Sequence, residues 1–130
     1  MMKKLMMTAA MVMFGAGAAW AADPVEGLWQ TQPDDGAFAH VQMAPCGGAL
    51  CGTISRTFNA SGEYQSENLG KKIVIDMMPS GGGKYAGKVW RPSNNKTYIG
   101  KINLSGDTLK LAGCVAGGLI CSKQSWARVK

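Results

Sequence analysis

The sequence predicts an all-β protein: one antiparallel sheet of eight strands that runs up and down and closes on itself as a barrel. Three observations carry this expectation. Short runs of alternating apolar and polar residues fill the chain after residue 22, no stretch shows an apolar period of helical spacing, and Gly, Pro, Ser and Asn divide the runs at short intervals.

Before the first strand, Lys3 and Lys4 precede an uncharged stretch, Leu5 to Trp20, and Ala19-Trp20-Ala21 offers a small-x-small cleavage pattern. This predicts a cleavable export signal over residues 1–21 and one domain over 22–130. An uncleaved anchor is the alternative, since Leu5 to Ala22 is just long enough to span a bilayer. The Ala and Gly content, Thr8 and the cleavage pattern argue against it, and no cysteine follows the cut to accept a lipid.

The eight strands are placed at Gly27–Thr31, Ala37–Ala44, Leu50–Thr57, Lys71–Met77, Lys84–Arg91, Thr97–Leu104, Thr108–Ala112 and Ser122–Val129. Ala39, Val41 and Met43 oppose Phe38, His40 and Gln42; Ile73, Ile75 and Met77 oppose Lys72 and Asp76. Tyr85 and Val89 oppose Lys84 and Lys88, and Tyr98, Ile102 and Leu104 oppose Thr97, Lys101 and Asn103. One face is therefore apolar and the other lysine-rich, as a sheet with one buried side requires. Ser105-Gly106-Asp107 and Pro79-Ser80-Gly81-Gly82-Gly83 read as hairpin turns, and Pro33-Asp34-Asp35-Gly36 as a turn before it is a calcium site.

Closing the sheet removes its edges, and eight strands leave an interior that holds side chains or one small ligand. An open half-barrel and a two-sheet sandwich are the alternatives. In an up-and-down barrel the first and last strands are neighbours, so Trp29 and Arg128 are expected to close one end, the guanidinium stacked on the indole. The Cys46–Cys51 hairpin and the turns at Pro79–Gly83 and Ser105–Gly106 fall at that closed end. Gln32–Gly36, Phe58–Gly70, Pro92–Asn95 and the Cys114–Cys121 loop gather at the other, which would be the mouth.

Four cysteines in a small exported domain read as two disulfides. The spacings are not those of a zinc ribbon or a thioredoxin-like site. A six-residue strand spans about 20 Å, whereas bridged cysteines need Cα atoms within about 7 Å. The barrel order therefore selects Cys46–Cys51 and Cys114–Cys121.

Charge is unevenly spread. Residues 22–70 hold one base, Arg56, against six acids, whereas residues 71–130 hold eleven bases against Asp76 and Asp107. Lys72, Lys84, Lys88, Lys101 and Lys110 share the outward parity of consecutive strands and predict a basic face. For an exported chain the expected partner of such a face is an anionic envelope surface, lipid or polysaccharide, rather than nucleic acid; the alternative is a solvated face with no partner.

Gly27-Leu28-Trp29 at the first strand and Trp126-Ala127-Arg128 at the last resemble the pairing of lipocalins and related calycin barrels. The run Met43-Ala44-Pro45-Cys46-Gly47-Gly48-Ala49-Leu50-Cys51-Gly52 is similar to the "CG…LCG" hairpin of the exported bacterial family known as domain of unknown function 2147. Lys96-Thr97-Tyr98, Leu109-Lys110-Leu111-Ala112-Gly113-Cys114 and Gln124-Ser125-Trp126-Ala127-Arg128-Val129 extend that resemblance. The chain departs from it at Trp90-Arg91-Pro92-Ser93-Asn94-Asn95, where the family has an Asp before Pro and a Gly before Lys-Thr-Tyr. The resemblance implies a periplasmic, lipocalin-like barrel and carries over no catalytic residue.

Catalytic chemistry is sparse. His40 is the only histidine, mid-strand and without a carboxylate or cysteine at ligand spacing, so neither a metal site nor a Ser-His-Asp hydrolase is expected. Gly81-Gly82-Gly83-Lys84 is followed by Tyr85 where a phosphate loop needs Ser or Thr. No cofactor is expected. The leading expectation is a monomeric, non-enzymatic periplasmic protein that holds a small apolar or amphipathic ligand, with Tyr85, Tyr98 and Trp126 as candidate contacts. The alternative is an envelope structural or interaction protein whose barrel is filled by its own side chains, Ile73, Ile75, Met77, Ile102 and Leu104 among them.

Overall fold

The structure is a computed structural model and describes residues 22–130; the predicted export signal lies outside the described residues. Its strands are β1 (Gly27–Gln30), β2 (Phe38–Cys46), β3 (Ala49–Asn59), β4 (Gly62–Tyr64), β5 (Lys72–Gly81), β6 (Lys84–Arg91), β7 (Lys96–Ser105), β8 (Thr108–Val115) and β9 (Ile120–Arg128). All pairings are antiparallel. β1, β2, β3, β5, β6, β7, β8 and β9 succeed one another round a ring that β1 closes against β9, a closed eight-stranded barrel.

The ninth strand is a correction to the expected strand order. β4 lies inside the segment expected to be a plain loop, Phe58–Gly70, and pairs with the end of β3 outside the ring. Three residues with no apolar alternation carry no strand signal; a two-residue turn at Ala60–Ser61 returns the chain against its own strand instead. Several strands also outrun their expected ends, because β2 and β3 stay paired down to Cys46↔Ala49. There Gly47 and Gly48 supply the two positive φ angles of a tight hairpin.

The inward parity is as expected for β2, β6 and β7: Val41, Met43, Tyr85, Val89 and Ile102 are buried. In β5 it differs. Asp76 takes φ 50° and the register slips between Ile75 and Met78. This bulge inserts an extra residue and switches the face of the residues beyond it. Val74 and Met77 are fully buried, whereas Ile75, assigned to the inner face, pairs with outward Lys88 and lies outside the core. Ile73 packs against the core from the mouth side.

Three inward glycines, Gly87, Gly100 and Gly113, stand side by side across β6, β7 and β8. A Cβ on Gly100 would meet Met77 Cε at 2.7 Å, and one on Gly87 would meet the Asp76 carbonyl oxygen at 2.6 Å. The bare wall lets Met77 lie across the barrel and lets the bulge press against β6. Below it Trp29, Met43, Met77, Leu109 and Val25 are fully buried.

The closed end is built by both ends of the described chain. The Arg128 guanidinium lies 4.4 Å from the Trp29 ring centroid. Its Nη1 donates to the Glu26 carbonyl at 3.0 Å, Nη2 to the Pro24 carbonyl at 2.7 Å and Nε to Asp107 at 2.9 Å. Trp29 Nε1 donates to the Val25 carbonyl at 2.9 Å, so the segment Asp23–Glu26 folds under the barrel as a base. Gly27 cannot carry a side chain, since a Cβ there would lie 2.8 Å from the Lys130 carbonyl oxygen.

Arg128→Ala strands those carbonyls and should cost about 2–4 kcal/mol, lowering Tm by roughly 10 °C or more. Arg128→Lys should recover only a minor part, because an ammonium lacks the planar fork. Thermal unfolding checks both; an Ala variant that melts with wild type removes the clamp.

Candidate functional site

Above the glycine row the interior is hollow. A cavity of about 550 Å³ opens at the end where Thr31–Ala37, the β3–β5 connection and the β6–β7 turn meet, the end expected to be the mouth. Its floor is Trp126 and Leu111, and its walls are Ala39, Ile54, Val89 and Tyr98. Ser66, Asn68, Ser122, Lys123 and Gln124 stand nearer the rim. The gradient tracks strand parity: apolar inward positions continue to the level of Val89 and give way to polar ones where strands run into loops.

Two buried hydroxyls near the mouth are already satisfied. Thr31 Oγ1 accepts from the Ala39 N–H at 2.9 Å, and the Thr57 hydroxyl donates to the Tyr64 carbonyl at 2.6 Å. Trp126 Nε1 donates to Gln124 Oε1, which directs the indole's polar edge along β9 toward the rim. The lining is mixed, with apolar side chains from Ala39, Ile54, Ile73 and Val89 in the wall and the charged Asp34, Asp35, Arg91 and Lys123 toward the opening.

Of the three aromatic residues expected to face a ligand, Tyr98 and Trp126 line this cavity. Tyr85 does not. It sits at the other end, where its hydroxyl donates to Asp23 Oδ1, and burial, with that carboxylate beside it, raises its pKa. The reason is the Asp23–Glu26 base, which no pattern in the sequence announces and which takes up the phenol as part of the closed end.

The rim has features that sequence order hides. Asp35 and Gly36 take φ 55° and 77°, making the β1–β2 turn, and Asp34 before them receives two hydrogen bonds from Arg91, Nε at 3.0 Å and Nη2 at 2.8 Å. This fork ties the β1–β2 loop to the end of β6 across the mouth. On the β6–β7 turn, Asn95 takes φ 56°; its Oδ1 accepts from Trp90 Nε1 at 2.9 Å, while Asn94 Nδ2 donates to the Tyr98 hydroxyl at 2.8 Å. Asn is among the side chains that tolerate this left-handed backbone.

His40 is on the outer wall, outside the cavity lining. Its Nε2 meets Gln30 Oε1 at 3.2 Å, its ring packs on Phe58, and its pKa is lowered by burial and then by Arg56. Cys46–Cys51 and Cys114–Cys121 are paired with Cα separations of 5.8 and 4.1 Å. The cluster of Cys46, Cys51 and Asp76 therefore offers no thiolate to a metal. Lys72, Lys84, Lys88, Lys101 and Lys110 are all exposed. Lys84, Lys101 and Lys110 share one outer groove, with Lys123 as an unforeseen fourth. Lys88 adjoins Ile99, and Lys72 lies apart on β5 beside Thr53.

With this geometry in hand, the chain finds relatives. Residues 27–128 match the bacterial family described as "Uncharacterized protein conserved in bacteria (DUF2147)", and the chain belongs to it. Among curated proteins none matches. Among solved structures the chain resembles protein HP1028 from the human pathogen Helicobacter pylori, described as belonging to the lipocalin family, with TM-score 0.63, 16% identity, and coverage of 82% of this chain and 83% of that one. At that identity the likeness is one of fold.

The Arg91–Asp34 tie gives a testable pH dependence. Hydrogen bonding from Arg91 holds the Asp34 carboxyl below its usual range. A lowered carboxylate contributes above its unfolded value, about 3.9, and the contribution fades as pH falls through the lowered one. Hydrogen-exchange protection of Thr31–Ala37 should therefore drop in Asp34→Asn at pH 7, and in wild type only in acid. Equal protection in both proteins at pH 7 would show that the pair holds nothing in place.

Proposed function

For this member of the DUF2147 family we propose a non-enzymatic, exported binding protein, periplasmic in location, that holds one small amphipathic molecule in the mouth of its barrel. The observation that carries the reading is the division of the interior: large side chains fully buried below the glycine row, and above it a cavity with apolar side chains in its wall and polar and charged groups toward its opening. The paired cysteines and the bacterial family accord with export into an oxidising compartment. Catalysis forms no part of the reading, since the sole histidine stands outside the cavity and the hydroxyls of Thr31 and Thr57 are engaged by the backbone.

The rival reading, an envelope structural protein with a self-filled barrel, draws support from the lower half, where Trp29, Met43 and Met77 are large and fully buried. Gly113 separates the two. It lines the cavity, its φ is not left-handed, and a Cβ there would make ordinary contacts with Val89 and Tyr98 at 3.4 and 3.5 Å. Gly113→Leu therefore adds a side chain to the hollow without disturbing the wall.

Titration with a fluorescent fatty acid should show saturable binding to wild type and at least tenfold weaker binding to Gly113→Leu, a loss of about 1.4 kcal/mol, with Tm little changed. Absence of binding to wild type, or equal affinity in the variant, would favour the self-filled reading. Mass spectrometry of the native protein taken from its own envelope would then identify a co-purifying molecule.

A further inference from the structure

The β8–β9 hairpin carries apolar side chains into open solvent. Leu119 is 87% exposed, Ile120 64% and Val115 47%. Isolated exposed apolar residues are ordinary; contiguous ones mark contact surfaces. These are contiguous, because Val115 pairs with Ile120 across the hairpin and Leu119 closes the Ala116–Gly118 turn between them. Ile99, also exposed, pairs with Cys114 and lies on the lysine-bearing outer face, opposite to Val115 and Ile120. The Cys114–Cys121 bridge crosslinks the hairpin directly beneath the tip, so presenting these side chains costs little ordering.

Cations border the patch on one side. Lys88 pairs with Ile99, and Lys101 and Lys123 flank Ala112 on the two neighbouring strands. Lys101 Nζ reaches the Gly118 carbonyl at 3.4 Å, at the foot of the tip. Lys123 is two residues below Cys121, about 7 Å along the strand. The acids of the β1–β2 loop, Asp34 and Asp35, both lie within 4.0 Å of Arg91.

We propose that this hairpin is a docking surface for an anionic lipid bilayer. Leu119, Ile120 and Val115 enter the boundary between headgroups and acyl chains, while Lys88, Lys101 and Lys123 meet lipid phosphates. The depth matches: apolar faces of interfacial segments sink about 5–10 Å, and Lys123, three residues from Ile120, stands about 10 Å behind it along the strand, at headgroup level. A soluble acidic polysaccharide would engage the lysines and have no use for the apolar tip. Docking goes beyond ligand binding and does not depend on what the cavity holds, although it turns the mouth toward the bilayer.

Co-sedimentation of the purified protein with vesicles tests this, using phosphatidylcholine alone and phosphatidylcholine mixed with phosphatidylglycerol. Binding should favour the mixed vesicles and weaken, without vanishing, at physiological salt. The double variant Leu119→Ser, Ile120→Ser should bind on the order of tenfold or more weakly. Lys101→Gln and Lys123→Gln should each cost about fivefold. All these side chains are exposed, so circular dichroism and Tm should stay at wild-type values. Gly113→Leu should dock as wild type does, which keeps failure of docking distinct from failure of ligand binding. No binding to mixed vesicles, or binding indifferent to the Leu119/Ile120 pair, overturns the proposal.

Discussion

Everything in this fold depends on joining the first strand to the last, and Arg128 is the group that makes the join firm. A sheet of eight strands that stops short of closure leaves two edges of unpaired backbone. Here β1 is brief: it shares the Trp29↔Arg128 and Gln30↔Ala127 pairs with β9, and beyond them the Leu28 N–H donates to the Lys130 carbonyl at 2.8 Å and the Val129 N–H to the Leu28 carbonyl at 2.7 Å. So short a seam gains little from ladder hydrogen bonds alone. The guanidinium adds one stacked indole and two carbonyls of the Asp23–Glu26 base, and Asp107 fixes its remaining side. Trp29 is then buried, and the fully packed lower core can assemble around it.

That packed lower half is what permits a hollow upper half. A barrel of this size has little interior volume to distribute. Large side chains concentrate near the clamp, and the row Gly87, Gly100 and Gly113 strips the wall just where Met77 crosses, which leaves Trp126 as a floor and open space above it. The two disulfides share the same polarity, one holding the hairpin at the solid end and one the hairpin at the open end.

The architecture was legible because alternation of period two and glycine turns determine both which face is buried and which end each loop reaches. Trp29 and Arg128 come together as neighbours of first and last strands, and the two cysteine pairings come from loop parity. What escaped the sequence was whatever breaks the period or joins distant positions. With the bulge at Asp76, Met77 is buried as expected but Val74 rather than Ile75 is buried before it, and nothing in an acidic residue between apolar ones marks a left-handed backbone. Asp34 and Arg91 are 57 residues apart and meet only because two mouth loops converge. Tyr85 read as a cavity residue from parity alone, since parity gives the face of a strand but not the height along it; the Asp23–Glu26 turn claims it at the base.

The clamp also sets when the barrel can exist. Arg128 donates to carbonyls 102 and 104 positions before it, among the most distant contacts in the chain. Long closures form late, after local hairpins have zipped. A chain emerging amino end first can pair β2 with β3 and β6 with β7 as they appear, yet it stays an open curl with bare margins until β9 arrives. Such a curl is pliable, and it becomes a rigid vessel only once Arg128 is seated on Trp29.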